Sequence, residues 1–329
     1  MLVSDPVFKK VYEALERHDS RVTIVSTKSM DALSATCAVA AANATCAIYI
    51  NGFEYQRALN VTLCIPQYAY GLSQSQQYIA ECRKKRTKII GRCKAPNTYD
   101  TVLAIHDELA KDICYQEDGK LSHSIAGPLL FGRGVCDGFS KTLKFILDEL
   151  SIPCFVVNGT ATDPQTGINE GHAWNIVKID NSWVHIDLTF DATISQSPVL
   201  RHDYFGLNTP TIARDHQFDL AHYPVSSTIS LEYHHKKNLI ISDKKKIPPL
   251  VMEKLNKGEN HILFRLEKQG CADFSDEILQ QTSSFLLKHG ISASLAIHYN
   301  IAQSVYCITV NGDSQDQPLR KVKSFLFNR

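Results

Sequence analysis

Two short segments, Ala173 to Ile179 and Trp183 to Phe190, constrain this chain more than any other stretch of it. Each alternates side-chain character in the way of a strand with one buried face. Asp180-Asn181-Ser182 between them has turn chemistry. A two-residue Asp180-Asn181 turn, with the asparagine in the left-handed region, pairs Ile179 with Ser182. Counting back sets Asp187 opposite Trp174 and Thr189 opposite His172. His172, Trp174, Asp187 and Thr189 then share one face, while Ala173, Val177, Val184, Ile186 and Leu188 make an apolar set on the other. His172 and Asp187 become diagonal neighbours, roughly 7–8 Å apart in the backbone and within side-chain reach. A one-residue slip would mix the faces and part the pair.

Upstream, Gly134-Val135-Cys136-Asp137-Gly138-Phe139-Ser140 puts a cysteine where Phe139, Leu143, Ile146, Leu147 and Leu150 begin a helical repeat. That helix should stop at Ser151-Ile152-Pro153, because the residue before proline is pushed out of the helical region. The thiol therefore falls on the first turn, where unpaired N–H groups and the positive end of the helix favour a thiolate. Gly134 and Gly138 are expected to let the backbone approach a substrate closely. Cysteine, histidine and aspartate in this order are the parts of a nucleophilic triad. Cys136 would attack a carbonyl carbon, His172 would pair with the thiolate and then protonate the leaving amine, and Asp187 would fix the imidazole tautomer. The Cys136 N–H is one candidate oxyanion donor. His185, further down the strand, is expected to be a neighbour rather than the base. The expected activity is thiol-dependent acyl transfer at amide bonds of peptides or proteins, with water or an amine as acceptor. A binding or scaffolding protein with an idle triad is the alternative from another class.

At 329 residues the chain is long for one core. We divide it at the boundary marked by Pro96 and at the proline-rich stretch after Asp191, giving an α+β unit at 1–95, a core at 96–225 and a second α+β unit at 226–329. With 35 basic against 34 acidic residues, nothing global draws the chain to nucleic acid or to a membrane surface. The start resembles no signal peptide, and Ala32 to Ile50 is barely long enough for a span and built from Ala, Ser, Thr, Cys and Asn rather than Leu or Phe; it reads as a buried helix passing into a strand. A cytoplasmic setting with free thiols follows for the ten cysteines (37, 46, 64, 82, 93, 114, 136, 154, 271 and 307). No CxxC pair occurs, so a zinc ribbon has no support and no metal or cofactor is expected. The basic run from Cys82 to Lys88 is read as the solvated end of a helix starting near Ser73. Arg201-His202-Asp203 and Tyr233-His234-His235 are read as surface or packing histidines rather than metal ligands.

These residues resemble the transglutaminase-like superfamily, which is related in architecture to papain-like cysteine peptidases. The resemblance runs through Gly-Val-Cys-Asp-Gly-Phe at 134–139, Ser-Ile-Pro-Cys at 151–154, Gly-His-Ala-Trp-Asn at 171–175, Ile-Asp-Asn-Ser-Trp at 179–183 and Asp-Leu-Thr-Phe-Asp at 187–191. Ile105-His106-Asp107, Tyr204-Phe205 and Asp215-His216 flank it. It implies an α+β fold, with the cysteine-bearing helix packed on an antiparallel sheet, and Cys136, His172 and Asp187 as nucleophile, base and orienting acid. In one respect the chain departs from it. Several relatives use an upstream tryptophan, and papain-like enzymes an upstream glutamine, as second oxyanion donor; here Trp174 and Trp183 both follow the cysteine. Gln116, Ser122, His123 and Ser124 remain the candidates. A peptide N-glycanase, a narrower relative, typically adds paired CxxC ligands that this chain lacks.

Overall fold

The structure, a computed structural model, describes residues 5–25, 30–195, 199–267 and 273–312. Pro198, Cys271 and the first four residues, touched on above, lie outside the described residues.

Helix α1 (Pro6–Glu16) opens on Asp5, whose carboxylate accepts from the Val7 N–H, and buries Phe8, Val11 and Leu15. That spacing is one helical face, and the cap satisfies a donor the helix cannot. After β1 (Val22–Val25) comes α2 (Met30–Asn43), whose alanines and Cys37 allow close packing against α1. It leads on to β2 (Ile50–Ala58), the helix-into-strand passage expected from composition. With β3 (Val61–Tyr68) these strands form an antiparallel sheet in the order β1-β3-β2. No helix among the described residues is long and apolar enough to cross a membrane.

Helix α3 (Leu72–Cys93) runs straight through the basic stretch instead of ending in it. Ile79, Cys82, Ile89 and Cys93 keep one face inward, and no glycine or proline falls between Ile79 and Ile89, so the turn at Arg83, Lys84 and Lys85 is simply the solvated side. Arg86 is the exception: its guanidinium lies 4.3 Å from the centre of the Phe145 ring and pairs with Glu149. The inward face of α3 joins the same hydrophobic cluster as α4 (Thr98–Asp112), which Asn97 caps through the Asp100 N–H.

Two short strands, β4 (Cys114–Tyr115) and β5 (Arg133–Gly134), pair in parallel and deliver the chain to α5 (Cys136–Glu149). α5 ends where expected, with Ser151 at a φ of 55° just before Ile152-Pro153. It packs on β6 (Cys154–Thr162) and β7 (Asn169–Ile179). β8 (Ser182–Ile186) completes the hairpin in the register read from the sequence, Ile179 with Ser182 and Val177 with Val184. The left-handed residue is Asp180, at 53°, rather than Asn181. β8 stops at Ile186, and the expected strand to Phe190 is instead α6 (Leu188–Ile194). β9 (Phe205–Leu207), α7 (Thr209–Ile212) and β10 (His216–Gln217) finish an antiparallel sheet ordered β10-β6-β7-β8-β9.

After α8 (Tyr233–Lys236), β11 (Ile240–Ile241), α9 (Ile247–Asn256), β12 (His261–Leu266), α10 (Ser275–Lys288), β13 (Ala293–Asn300) and β14 (Val305–Gly312) form a sheet ordered β11-β12-β14-β13 with its own apolar cluster under two helices. Arg265 ties it to the middle of the chain through Glu232 and the Asp203 carbonyl, and Gln303 through Asp215. The whole is a mixed α+β fold.

The glycines beside Cys136 have a different job from the one expected. A Cβ on Gly138 would lie 2.2 Å from the Ser122 carbonyl oxygen, and one on Gly134 would lie 2.8 Å from Pro128 Cγ. They admit the 119–131 loop, not a substrate, and the Val135 N–H donates to the same Ser122 oxygen. Gly138→Ala should therefore destabilise the protein by about 1–3 kcal/mol through overpacking against backbone that cannot swing away. An unchanged urea midpoint would show that the loop yields freely.

Candidate active site

Cys136 is the first residue of α5, and Val135 at the cap offers no side-chain acceptor to the first-turn N–H groups. The helix is pinned to the sheet by Ser140, whose Oγ lies 2.7 Å from the Cys136 carbonyl and 2.9 Å from that of Ala173. Asn175 adds a second tie, its amide donating to the Ser140 carbonyl at 2.9 Å. The start of α5 is thus held beside the part of β7 that carries His172. The His172 Nε2–H donates to Asp187 Oδ2 at 2.7 Å, and the Cys136 thiol lies near enough to the same ring to add to its positive shift. With Nε2 engaged, Nδ1 is the atom left for sulfur. Phe190 stacks on the imidazole with ring centres 4.4 Å apart and fixes its plane.

Asp187 does not sit on a strand opposite Trp174. The β7–β8 pairing ends at Asn175 with Ile186, and Asp187 becomes the N-cap of α6. Its Oδ1 accepts from the Phe190 N–H at 3.0 Å, leaving Oδ2 for the imidazole. The reason is local: aspartate at a helix start satisfies an otherwise orphaned donor, which competes with continuing the ladder. The diagonal reach inferred from strand geometry is preserved although the strand is not.

A fourth residue enters that the sequence did not assign to the site. His216, on β10, donates from Nε2 to the same Asp187 Oδ2 at 3.0 Å and meets Asp215 Oδ1 with Nδ1 at 2.7 Å. No periodicity or spacing connects residues 187 and 216; the flanking Asp215-His216 resemblance was the sole signal. Tyr115 is the other omission. Its backbone pairs with Gly134, and its ring lies 6.4 Å from that of Phe139, on the first turn of α5. Of the expected oxyanion candidates, Ser122 bonds to Gly119 and Glu117, Ser124 bonds within its own loop, and His123 pairs with Glu117.

Charges follow from these contacts. Burial alone would lower the His172 pKa, but the Asp187 carboxylate, and the Cys136 thiol after it, outweigh burial and raise it to about 10. Burial opposes the ionised form of Asp187, yet His172 and then His216 hold its pKa well below the usual carboxylate range. His185 is different: burial and the neighbouring His216 lower it to about 3, and it accepts from the Trp174 indole while facing Thr209. It is a neutral neighbour, not a base.

Two groups have ligand-type atoms within 4.8 Å of one another, His172 with Asp187 and His216, and His106 with Asp107 and His202. In both, the members already bond to one another, so they are hydrogen-bond networks first. His202 and His234 are buried rather than on the surface. A cavity of about 200 Å³ adjoins the triad, lined by Tyr115, Asp163, Glu170, His172, Thr189 and Phe190 among others. A larger one, about 270 Å³ between Arg201 and the His261 and His298 strands, holds none of these groups.

The two shifts set a pH window. A histidine whose pKa is raised on folding adds stability that is complete below its unfolded value, about 6.5, and is lost as pH rises through the folded value of about 10. Asp187, depressed on folding, adds stability present above pH ~4 and lost on acidification. The stability gap between wild type and His172→Gln, read from urea midpoints, should be widest from about pH 4 to 6.5 and should close toward pH 10. A gap independent of pH would refute the charged pair.

Residues 85–188 match the model of the transglutaminase-like superfamily. Among solved structures the chain is similar to a TGase, at 16% identity and a TM-score of 0.31, over 51% of this chain and 50% of that one. It is also similar to a protein described as a cysteine protease from Cytophaga hutchinsonii (17% identity, TM-score 0.30, 53% of this chain and 69% of that one). A third is the periplasmic domain of TgpA from Pseudomonas aeruginosa (14%, TM-score 0.27, 41% and 58%). The chain thus spans half the length of the first of these, and the partial likenesses add nothing to the family match. No curated protein sequence matches the chain. Through residues 85–188, which include the helix of Cys136, the strand of His172 and Asp187, this chain carries a domain of the transglutaminase-like superfamily.

Proposed function

We propose that the chain is a thiol-dependent acyl-transfer enzyme acting on amide bonds of peptides or proteins, with Cys136, His172 and Asp187 as its catalytic groups. The observation that carries this reading is the convergence of a thiol at a helix start, an imidazole whose pKa that thiol helps to raise, and a buried carboxylate hydrogen-bonded to the same imidazole. His172 takes the thiol proton, giving a thiolate–imidazolium pair that Asp187 stabilises from behind. The thiolate adds to the carbonyl carbon, and the Cys136 N–H receives the developing oxyanion with the Tyr115 hydroxyl as second donor. As the C–N bond breaks, His172 returns its proton to the leaving amine. Water or an amine then attacks the thioester, losing its proton to His172, and frees the thiol.

His216 works behind the reacting groups. By sharing Asp187 Oδ2 with His172 it holds the carboxylate in place without touching sulfur. The nucleophile must stay reduced, which suits a cytoplasmic setting. Balanced net charge suits a peptide or protein partner better than nucleic acid or a membrane surface.

Iodoacetamide labelling at neutral pH tests the reading against an idle site. Cys114 is exposed and Cys136 only partly so, so labelling governed by access alone would reach Cys114 first. We expect Cys136 to lead by about tenfold or more, and His172→Ala to remove that lead by abolishing the ion pair. Cys114 leading in the wild type would leave the scaffolding alternative standing. A glutamine peptide with added methylamine, followed by mass spectrometry, then separates amine transfer from hydrolysis.

A further inference from the structure

The cavity that His172 lines also carries two carboxylates, Asp163 and Glu170. Glu170 lies two residues before His172 on β7 and so shares its face, about 6–7 Å along the strand. Asp163 stands across from it at the turn between β6 and β7. Its Oδ1 is occupied by the Gln165 and Thr166 N–H groups and the Thr166 hydroxyl. Neighbouring acids outside the cavity have basic partners: Glu117 meets His123, Asp118 meets Arg133 and Asp137 meets Lys141. Asp163 and Glu170 have no basic partner among the described residues, and no lysine or arginine lines the cavity.

A second observation points to a ligand there. Thr189, 2% exposed, lines the same cavity, and its hydroxyl has no hydrogen-bond partner among the described residues. A buried hydroxyl left unpaired costs free energy that an incoming polar group would recover. Phe190, Ile168 and the Tyr115 ring add apolar wall to the same cavity. The Tyr115 phenol registers the local field. Partial burial, and then the negative groups of Cys136, Glu170, Glu117 and Asp163, push its pKa up to about 12.

We propose that this cavity receives the basic side chain, lysine or arginine, of the acyl donor, its apolar stem against Phe190 and Ile168 and its cation between Glu170 and Asp163. A long side chain with a charged tip matches an apolar wall ending in carboxylates. The site would then choose its substrate by the residue next to the scissile amide. This rests on the nucleophile reading above and names the substrate class for it.

The probes are N-acetyl dipeptidyl acyloxymethyl ketones carrying lysine, norleucine or glutamate next to the ketone, with Cys136 labelling followed by intact mass. Norleucine keeps the stem and removes the charge. The lysine probe should react about tenfold faster than norleucine, equivalent to one well-placed charge contact, and glutamate more slowly than either. In Glu170→Gln with Asp163→Asn, where the asparagine oxygen still caps its turn, the lysine-to-norleucine ratio should fall toward one. Equal rates in the wild type, or an unchanged ratio in the double variant, would overturn the proposal. A measurement independent of thiol chemistry accompanies it: N-acetyl-lysine methylamide titrated into Cys136→Ala should shift backbone amide resonances at 163–170 and 189–193, and the norleucine analogue should not. Absence of that difference also overturns it. If no ketone labels Cys136 yet the lysine-specific shifts appear, the enzyme reading falls and the cation site stands.

Discussion

The arrangement depends on one buried carboxylate. Asp187, 1% exposed, stands where a strand becomes a helix and uses both oxygens at once. Oδ1 caps α6, and Oδ2 takes hydrogen bonds from two imidazoles. Its own N–H donates to the Tyr204 carbonyl, so its backbone is anchored as well. An ionised group out of water is tolerable only when its lone pairs are this fully engaged. The same saturation leaves His172 with one orientation and with Nδ1 as the ring nitrogen not used by the acid.

Around this group lies a second polar layer that explains the flanking pieces of the family resemblance. His106, fully buried on α4, bridges Asp107 and Asp191, and His202 reaches Asp107 from the far side. Asp191 in turn accepts from the Tyr204 N–H, and the Tyr204 hydroxyl donates to Asp215, the partner of His216. Burial lowers and the two acids raise the His106 pKa, to about 9, so this network too joins opposite charges. Its members come from α4, α6, the segment before β9 and β10. It holds α6, and with it Phe190 and Asp187, against the sheet. Such a network adds little net stability but penalises any misplacement of its parts, which suits a site needing fixed geometry.

Local patterns were legible where one physical rule acted alone. The 179–182 turn and the helix beginning at Cys136 and ending before Pro153 both follow from periodicity and turn chemistry. Errors arose where two rules competed. At 187–190 alternation suggested more strand, but an aspartate able to cap turned the chain into a helix. At 82–88 the charge run suggested a helix end, but the apolar stripe beneath it continued. For Gly134 and Gly138 the need for close approach was read correctly and the approaching object was not: it is the 119–131 loop.

The sequence by itself determined the residues able to form a thiol–imidazole–carboxylate line, and the hairpin register that brings two of them within reach. Those are short-range matters, set by side-chain alternation over a few residues and by a single turn. Only the tertiary structure decided that His216 shares the acid, that Tyr115 pairs with Gly134 just before the cysteine, and that Asp163, Glu170 and Thr189 line one cavity with His172. Each of these joins segments tens of residues apart, through sheet edges and loop packing. Such contacts are selected by the shape of the assembled core, and no local spacing records them.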